Sequence, residues 1–295
     1  MDLASLMAFV AVVETSSFSL AAERLHLTQP AISKRIAALE QQLAVRLFDR
    51  LGREIRLTEA GQALLPRAYQ IMNVLEDTRR ALGNLQEEVS GRLVLATSHH
   101  IGLHRLPPIL RHFTRRYPQV ALDIHFLDSE VAYEEVLHGR AELAVITLAP
   151  QTVPPVAATR IWDDPLDFVV AREHPLASTG HLQLADIAGY PAVFPGDHTF
   201  THSIVRHLFE QAGLSPSIAM STNYLETIKM MVSIGLAWSI LPRTMLDEQV
   251  VRLNLPGIQP RRQLGHIHHT ERTLSNAARA FMALLDQHQD GVNPA

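Results

Sequence analysis

The sequence predicts an α/β protein with an all-α, winged N-terminal part: a winged helix-turn-helix, a long coiled-coil linker helix, and then an α/β domain. Three observations predict it. Three short helical patterns crowd into the first 45 or so residues, a 3.5-residue apolar repeat follows Thr58, and strand and helix patterns alternate from Arg92 onward.

Leu3, Leu6, Phe9, Val10 and Val13 make the apolar stripe of a first helix, and Phe18 to Leu25 reads as a second, short and rich in Ala. Only His26 and Leu27 separate it from a third, the length of a helix-turn-helix connection. Thr28 can cap that third helix, and Pro30 falls in its first turn, where a missing N–H costs nothing. Ile32, Ile36, Leu39 and Leu43, at spacings of four, three and four, face a core. The opposite face carries Gln29, Ser33, Lys34 and, at its edge, Arg35, near the N-terminus, from which a recognition helix reaches base edges and phosphates. An isolated amphipathic helix with a solvated face would look the same; the two helices before it decide the reading. Leu47–Arg50 and Arg53–Leu57 follow as two short strands around a turn at Leu51-Gly52, the wing.

Thr58 caps a helix expected from Glu59 to about Leu85. Leu64, Ala68, Ile71, Leu75, Thr78, Leu82 and Leu85 recur at alternating four and three, the seam of a two-helix coiled coil, so Leu64, Ala68, Ile71, Leu75 and Leu82 are assigned to dimerisation. Pro66 should bend this helix or leave one carbonyl unpaired. Gly83-Asn84 and the polar run Gln86 to Gly91 mark a hinge. Beyond it, strands are expected at Arg92–Ala96, Val120–Leu127, Ala141–Thr147, Phe168–Ala171, Ala192–Phe194, Ile218–Ser221 and Trp238–Leu241. Helices are expected at Leu103–Arg116, Glu130–Leu137, Leu184–Ile187, Thr201–Ala212, Tyr224–Val232 and Leu274–Gln287.

The 295 residues, 47% apolar, allow two or three domains with real cores. The absence of Cys excludes disulfides, zinc ribbons and thiol chemistry. No run approaches the roughly twenty apolar residues of a membrane span, and the first thirty residues lack a signal-peptide pattern, so a cytoplasmic location is expected. The formal net charge is -4, yet Arg24 to Arg56 holds seven basic residues against three acidic, a local +4. That distribution suits a small DNA-reading module on a larger acidic body.

Phe18-Ser19, Ala21-Ala22, Leu25, Thr28-Gln-Pro-Ala-Ile-Ser33, Ile36, Leu39-Glu40, Leu47-Phe48, Arg50 and Leu57-Thr-Glu-Ala-Gly61 together resemble the N-terminal domain of LysR-type transcriptional regulators, and the chain's length and segment order agree with that family. The resemblance implies a DNA-binding regulator, not an enzyme, with a domain at 1–60, a linker and dimerisation helix at 58–88 and an effector domain at 91–295. It implies two lobes similar to periplasmic solute-binding proteins, one about 91–160 plus 268–290 and one about 161–267, joined by crossovers near Leu148–Ile161 and Gly265–Thr270. The DNA-facing set would be Thr28, Gln29, Pro30, Ser33, Lys34, Arg35, Arg50 and Arg53: Gln29, Ser33 and Lys34 in the groove, and Arg35, Arg50 and Arg53 on phosphates or in the minor groove beside the wing. Many relatives have Arg where Lys34 stands, and Lys cannot form the same planar pair with guanine. Implied partners are double-stranded DNA at an interrupted palindrome, RNA polymerase and further copies of the chain, as a homodimer or homotetramer.

By the same resemblance the effector would meet Thr97-Ser98-His99-His100, Ile146-Thr147, and Thr199, Thr201 and His202. Two of these segments open helices, whose N–H groups suit a carboxylate or other oxyanion. Their Ser and Thr residues could equally be helix caps only. His99-His100-His104 and His266-Ile-His-His269 invite a metal or pH-sensing reading, but the clusters lie far apart and no Cys assists, so no metal site and no cofactor is assigned. Ala237 stands where many relatives have a second glycine after Gly235, and Trp238 reads as core. A constitutive DNA-architectural protein without a ligand is the remaining alternative. An enzyme has little support: the chain has no nucleophile elbow, phosphate loop, dinucleotide fingerprint or His-Glu-x-x-His motif.

Overall fold

Asp2 accepts from the Ser5 N–H and starts α1 (Leu3–Thr15), whose Leu6, Phe9 and Val10 go into a core that Phe18, Ala21 and Ala22 of α2 (Phe18–Arg24) complete. The computed structural model describes residues 1–51, 54–86 and 88–290, in two units, Met1–Leu85 and Gln86–Ala295. In the first, α2 ends on His26 at φ 53°, with His26 N–H donating to the Glu23 carbonyl and Leu27 N–H to that of Ala22, the paired bonds that close a helix through a left-handed residue. The chain turns there into α3 (Gln29–Leu43), capped by Thr28 Oγ1 on the Ala31 N–H.

Strands β1 (Phe48–Leu51) and β2 (Glu54–Leu57) pair antiparallel as the wing. Glu40 on α3 anchors it, accepting from the N–H groups of Leu47 and Phe48 at 2.7 and 3.4 Å. Thr58 ties the other end by donating to the Arg46 carbonyl while it caps α4 (Glu59–Gly83). Gly61 has to be glycine: a Cβ there would stand 2.3 Å from the Leu47 carbonyl oxygen. α4 runs unbroken through Pro66 and ends at Gly83, two residues before the expected Leu85.

In the second unit β3 (Gly91–Thr97) leads into α5 (His99–His104) and α6 (Leu106–Arg116), then β4 (Val120–Phe126), α7 (Ser129–Leu137) and β5 (Leu143–Thr147). The single helix expected over Leu103–Arg116 is in fact two, broken at Arg105. Pro107 and Pro108 lack the N–H groups that a continuous helix would need, and they fit the first turn of a new one. β6 (Val156–Ala171) is followed by α8 (Leu184–Ala188), β7 (Pro191–Phe194), α9 (Phe200–Gln211), β8 (Ser217–Ser221), α10 (Leu225–Ser233), β9 (Ser239–Pro242) and β10 (Val250–Arg252). β11 (Arg261–His269) and α11 (Asn276–Asp286) complete the unit.

β3, β4 and β5 are parallel neighbours, and β5 pairs antiparallel with β11. Phe281 and Leu285 of α11 pack with Leu93, Phe113 and Leu143 in the core of this first half. In the second half Trp238, fully buried, packs with Phe168, Phe194 and Phe209, and Ala237 is buried beside it. The stretches expected as crossovers, near Leu148–Ile161 and Gly265–Thr270, run into two long strands that the sequence reading did not assign at that length. They pair with each other: β6 is one strand of sixteen residues, bonded to β11 from Val156 to Pro165 and to β9 and β10 beyond it. Pro165 sits where β6 changes partners, so its missing donor interrupts no ladder.

The register of β6 against β11 shifts between Leu264 and Gly265, and a Cβ on Gly265 would lie 2.0 Å from the Thr159 carbonyl oxygen. Gly265→Ala therefore pushes the two crossover strands apart. The expected cost is about 1–3 kcal/mol or more, read as a lower urea midpoint for the full chain; an unchanged midpoint would show that the strands yield freely. No helix among the described residues is long and apolar enough to cross a membrane.

Candidate functional site

Helix α3 turns Ile32, Ile36 and Leu39 into the core, which leaves Thr28, Gln29, Pro30 and Lys34 exposed and Ser33 and Arg35 half-buried on its outer N-terminal face. All six expected residues of that face thus share one surface. Arg53 lies outside the described residues, and of Arg50 only its strand, β1, is described. On α4 the expected seam divides. Ala68 is fully buried in the core of its own unit, so it is not free to meet a second chain, and Leu64 is half-buried against that core. The first half of α4 covers the helix-turn-helix. The apolar surface that remains begins at Ile71, continues through Leu75 and ends at Leu82, with Val74 exposed beside it.

A cavity of about 50 Å³ lies between the two halves of the second unit. Ser98, His99 and His100 of the α5 start, Asp128, Ser129 and Glu130 of the α7 start, and Thr147 line it from the first half. Pro195, Thr199, Thr201, Asn223 and Leu225 line it from the second, and Arg262 of β11 forms part of the wall. Three expected residues are absent from it. Thr97 is buried with its hydroxyl donating to the Val145 carbonyl, and Ile146 points into an apolar cluster with Ala96 and Val136 because alternate strand residues face opposite ways. His202 lies against Phe194, its Nδ1 2.9 Å from the Pro195 carbonyl. Thr199 is a helix cap, accepting from His202 N–H while donating to the Gly196 carbonyl. Ser98 is not: it stands at the cap position of α5, and its side chain makes no capping bond.

Arg262, which the sequence did not single out, dominates the wall. It is 5% exposed, its Nε donates to Asp164 at 2.7 Å and its Nη1 to Thr201 at 3.3 Å, while its Nη2 is buried without a partner. Asp164, fully buried, also receives Arg105 at 3.5 Å, so two guanidinium groups share one carboxylate and a positive charge is left over. Burial, then Arg262, His104 and Arg105, push the His100 imidazole down to about 2, so it is neutral.

Several polar contacts tie the halves together. Glu130 Oε1 accepts from the Phe200 N–H at 2.6 Å, placing a carboxylate at the start of α9. Asn223 donates to Asp128 at 2.6 Å while accepting from Gly196 N–H at 2.8 Å. His104 Nε2 lies 3.1 Å from Glu226 Oε1, and the His99 ring meets that of Tyr224 edge-on.

A family model described as the LysR substrate binding domain matches residues 86–290, and one described as a bacterial regulatory helix-turn-helix protein of the lysR family matches residues 3–62. The chain is 83% identical over 108 residues, 37% of its length and 75% of the relative's, to an uncharacterized HTH-type transcriptional regulator of the ibpB-leuC intergenic region of Azotobacter vinelandii. It is 27% identical over 292 residues, 97% of its length and 95% of the relative's, to the HTH-type transcriptional activator CmpR of Synechocystis. A full-length OxyR variant from Pseudomonas aeruginosa superposes with a TM-score of 0.69 at 21% identity, covering 100% of this chain and 99% of that one. CbnR complexed with its target DNA superposes with 0.65 at 23%, covering 99% and 100%. With a DNA-binding helix-turn-helix at one end and an effector-binding α/β domain at the other, the chain belongs to the LysR family of bacterial transcriptional regulators and is not an enzyme.

Proposed function

We propose that this regulator answers to a small anion, a carboxylate or other oxyanion, held in the cavity between the two halves of its α/β domain. The single observation that carries this reading is that Arg262, a residue lining the cavity, holds a buried Nη2 without a partner. A buried donor without an acceptor costs free energy that a ligand oxygen would recover, and a charged donor in a dry site recovers the most. The Ser98 hydroxyl, which makes no capping bond, supplies a further donor in the same cavity. A cavity near 50 Å³ holds only a small group unless the halves open. Glu130 already satisfies the start of α9, which supports Arg262 rather than that helix end as the effector's anchor.

An effector that binds one closure of the halves better than another shifts the population between closures, and with it the arrangement of the DNA-binding domains. Two chains pairing through the Ile71–Leu82 surface of α4 would set two α3 helices on an interrupted palindrome in the cytoplasm, with RNA polymerase as the downstream contact. Gln29, Ser33 and Lys34 would read bases, and Arg35, Arg50 and Arg53 would hold phosphates.

Titrating full-length protein with a panel of small carboxylates, phosphate and sulfate while following thermal midpoint and DNA affinity tests the reading. At least one anion should raise the midpoint. Ser98→Ala should weaken that anion by about 10–100-fold, the worth of a hydrogen bond to a charged group, and leave DNA affinity without the anion unchanged. Arg262→Lys keeps a charge beside Asp164 but lacks Nη2, and should lose at least as much. A panel without effect, or a Ser98→Ala variant that responds like wild type, would favour constitutive DNA binding instead.

A further inference from the structure

His100 and His104 stand one turn apart on α5, on the same face, with ring centroids 4.8 Å apart. From the other half, Glu226 in the first turn of α10 brings Oε1 to 3.1 Å from His104 Nε2. One candidate ligand atom from each of the three lies within 4.8 Å of the others, the one such grouping of His, Asp and Glu among the described residues. The second observation is His100 itself: it is 4% exposed, and neither ring nitrogen has a hydrogen-bond partner. A buried imidazole with both nitrogens idle is uncommon and calls for an explanation.

We propose that His100, His104 and Glu226 bind a divalent transition-metal ion of the zinc class, which links α5 of one half to α10 of the other. Two histidines at i and i+4 on a helix plus a carboxylate from a second element form a three-ligand donor set that leaves a fourth position open. Bonds of 2.0–2.2 Å place tetrahedral donors about 3.4 Å apart, so the three groups have to draw together by about 1 Å. His104 and Glu226 are exposed, and their side chains can swing that far. Arg262 and Arg105 oppose a nearby cation, but they share Asp164, and Glu226 offsets the charge that remains. The histidine pair was visible in the sequence; Glu226, 122 residues beyond His104, was not. Because the ion would join elements of both halves, it would favour their closed arrangement whether or not an anion occupies the cavity.

The test uses full-length protein stripped with a chelator and titrated with Co(II), whose visible absorption reports tetrahedral coordination, and then with Zn(II). The expected result is one tight ion per chain, a raised thermal midpoint, and no competition from Mg(II), which prefers six oxygen ligands. His104→Ala and Glu226→Gln should each weaken binding by about 100-fold, while His112→Ala, at an exposed histidine elsewhere, should not. Circular dichroism checks that each variant is folded. No saturable binding tighter than about 100 µM, or equal affinity in wild type, His104→Ala and Glu226→Gln, would overturn the site. The anion reading has separate readouts, Ser98→Ala and the carboxylate panel without metal, so the failure of one is distinguishable from the failure of the other.

Discussion

Replacing Ser33 and Lys34 together by alanine should erase the preference for the natural operator while leaving helix content and oligomeric state unchanged. Lys34 is exposed and Ser33 half-buried on the outer face of α3, opposite the core residues Ile32, Ile36 and Leu39. Alanine is also the better helix former, so neither change weakens α3. Each good base contact is worth about 1–3 kcal/mol of discrimination, and losing two should lower the ratio of operator to random-DNA affinity by about a hundred- to a thousandfold. Arg35→Ala gives the contrast: weaker binding to every sequence, and a shallower salt dependence by about one unit of slope. The measurement is retention of sheared genomic DNA from the source organism followed by sequencing of what is held, then titration of the enriched sites against scrambled ones. If both variants hold the natural sites as wild type does, the DNA face lies elsewhere.

Asp164→Ala should be the most damaging single change in the α/β domain. The carboxylate is fully buried between Arg262 at 2.7 Å and Arg105 at 3.5 Å, and its removal leaves a guanidinium that is only 5% exposed without a counter-charge. Breaking a buried pair from one side costs about 3–5 kcal/mol, a large part of the 5–15 kcal/mol that holds a typical domain folded. The double variant Asp164→Leu with Arg262→Met removes the two fully buried charges, leaves the part-exposed Arg105 to water, and should regain much of the loss, because well-packed apolar replacements of buried pairs are often neutral or better. Urea unfolding of the wild type, the single and the double variants measures both effects. A single variant within 1 kcal/mol of wild type would mean that water reaches Arg262.

The helix-turn-helix was legible because its signals are local. Thr28 and Pro30 set the start of α3, and the four-three-four spacing of Ile32, Ile36, Leu39 and Leu43 fixed its buried face. The cleft was legible only in part. Ser98, His99, His100, Thr147, Thr199 and Thr201 do line the cavity, but the neighbouring Thr97 and Ile146 do not, since a shift of one strand residue reverses its face. His202 misses by a similar margin, because one step along a helix turns a side chain by about 100°. Arg262 escaped notice for a different reason. Arg261-Arg262 meet Asp163-Asp164 only through the pairing of β11 with β6, 98 residues away, and no local pattern encodes that register. The same holds for Asn223 on Asp128 and Glu130 on Phe200, which join parts of the chain 95 and 70 residues apart.

The paired crossovers set the kind of motion that the α/β domain can make. Two loops would let its halves swing as if on a string, but β6 and β11 stay paired from Val156–His269 to Pro165–Arg261 through one register shift at Leu264/Gly265; β5 also pairs with β11 from Leu264 to His268, so the two-stranded ribbon proper is Asp163–Pro165 against Arg261–Gln263. Such a ribbon resists bending in its plane and yields most easily by twisting about its length. A closure that keeps this pairing intact is therefore a twist of these strands, felt at both of their ends together. Arg262 is carried on this torsion element, so a pull on its guanidinium acts at the axle instead of at the rim.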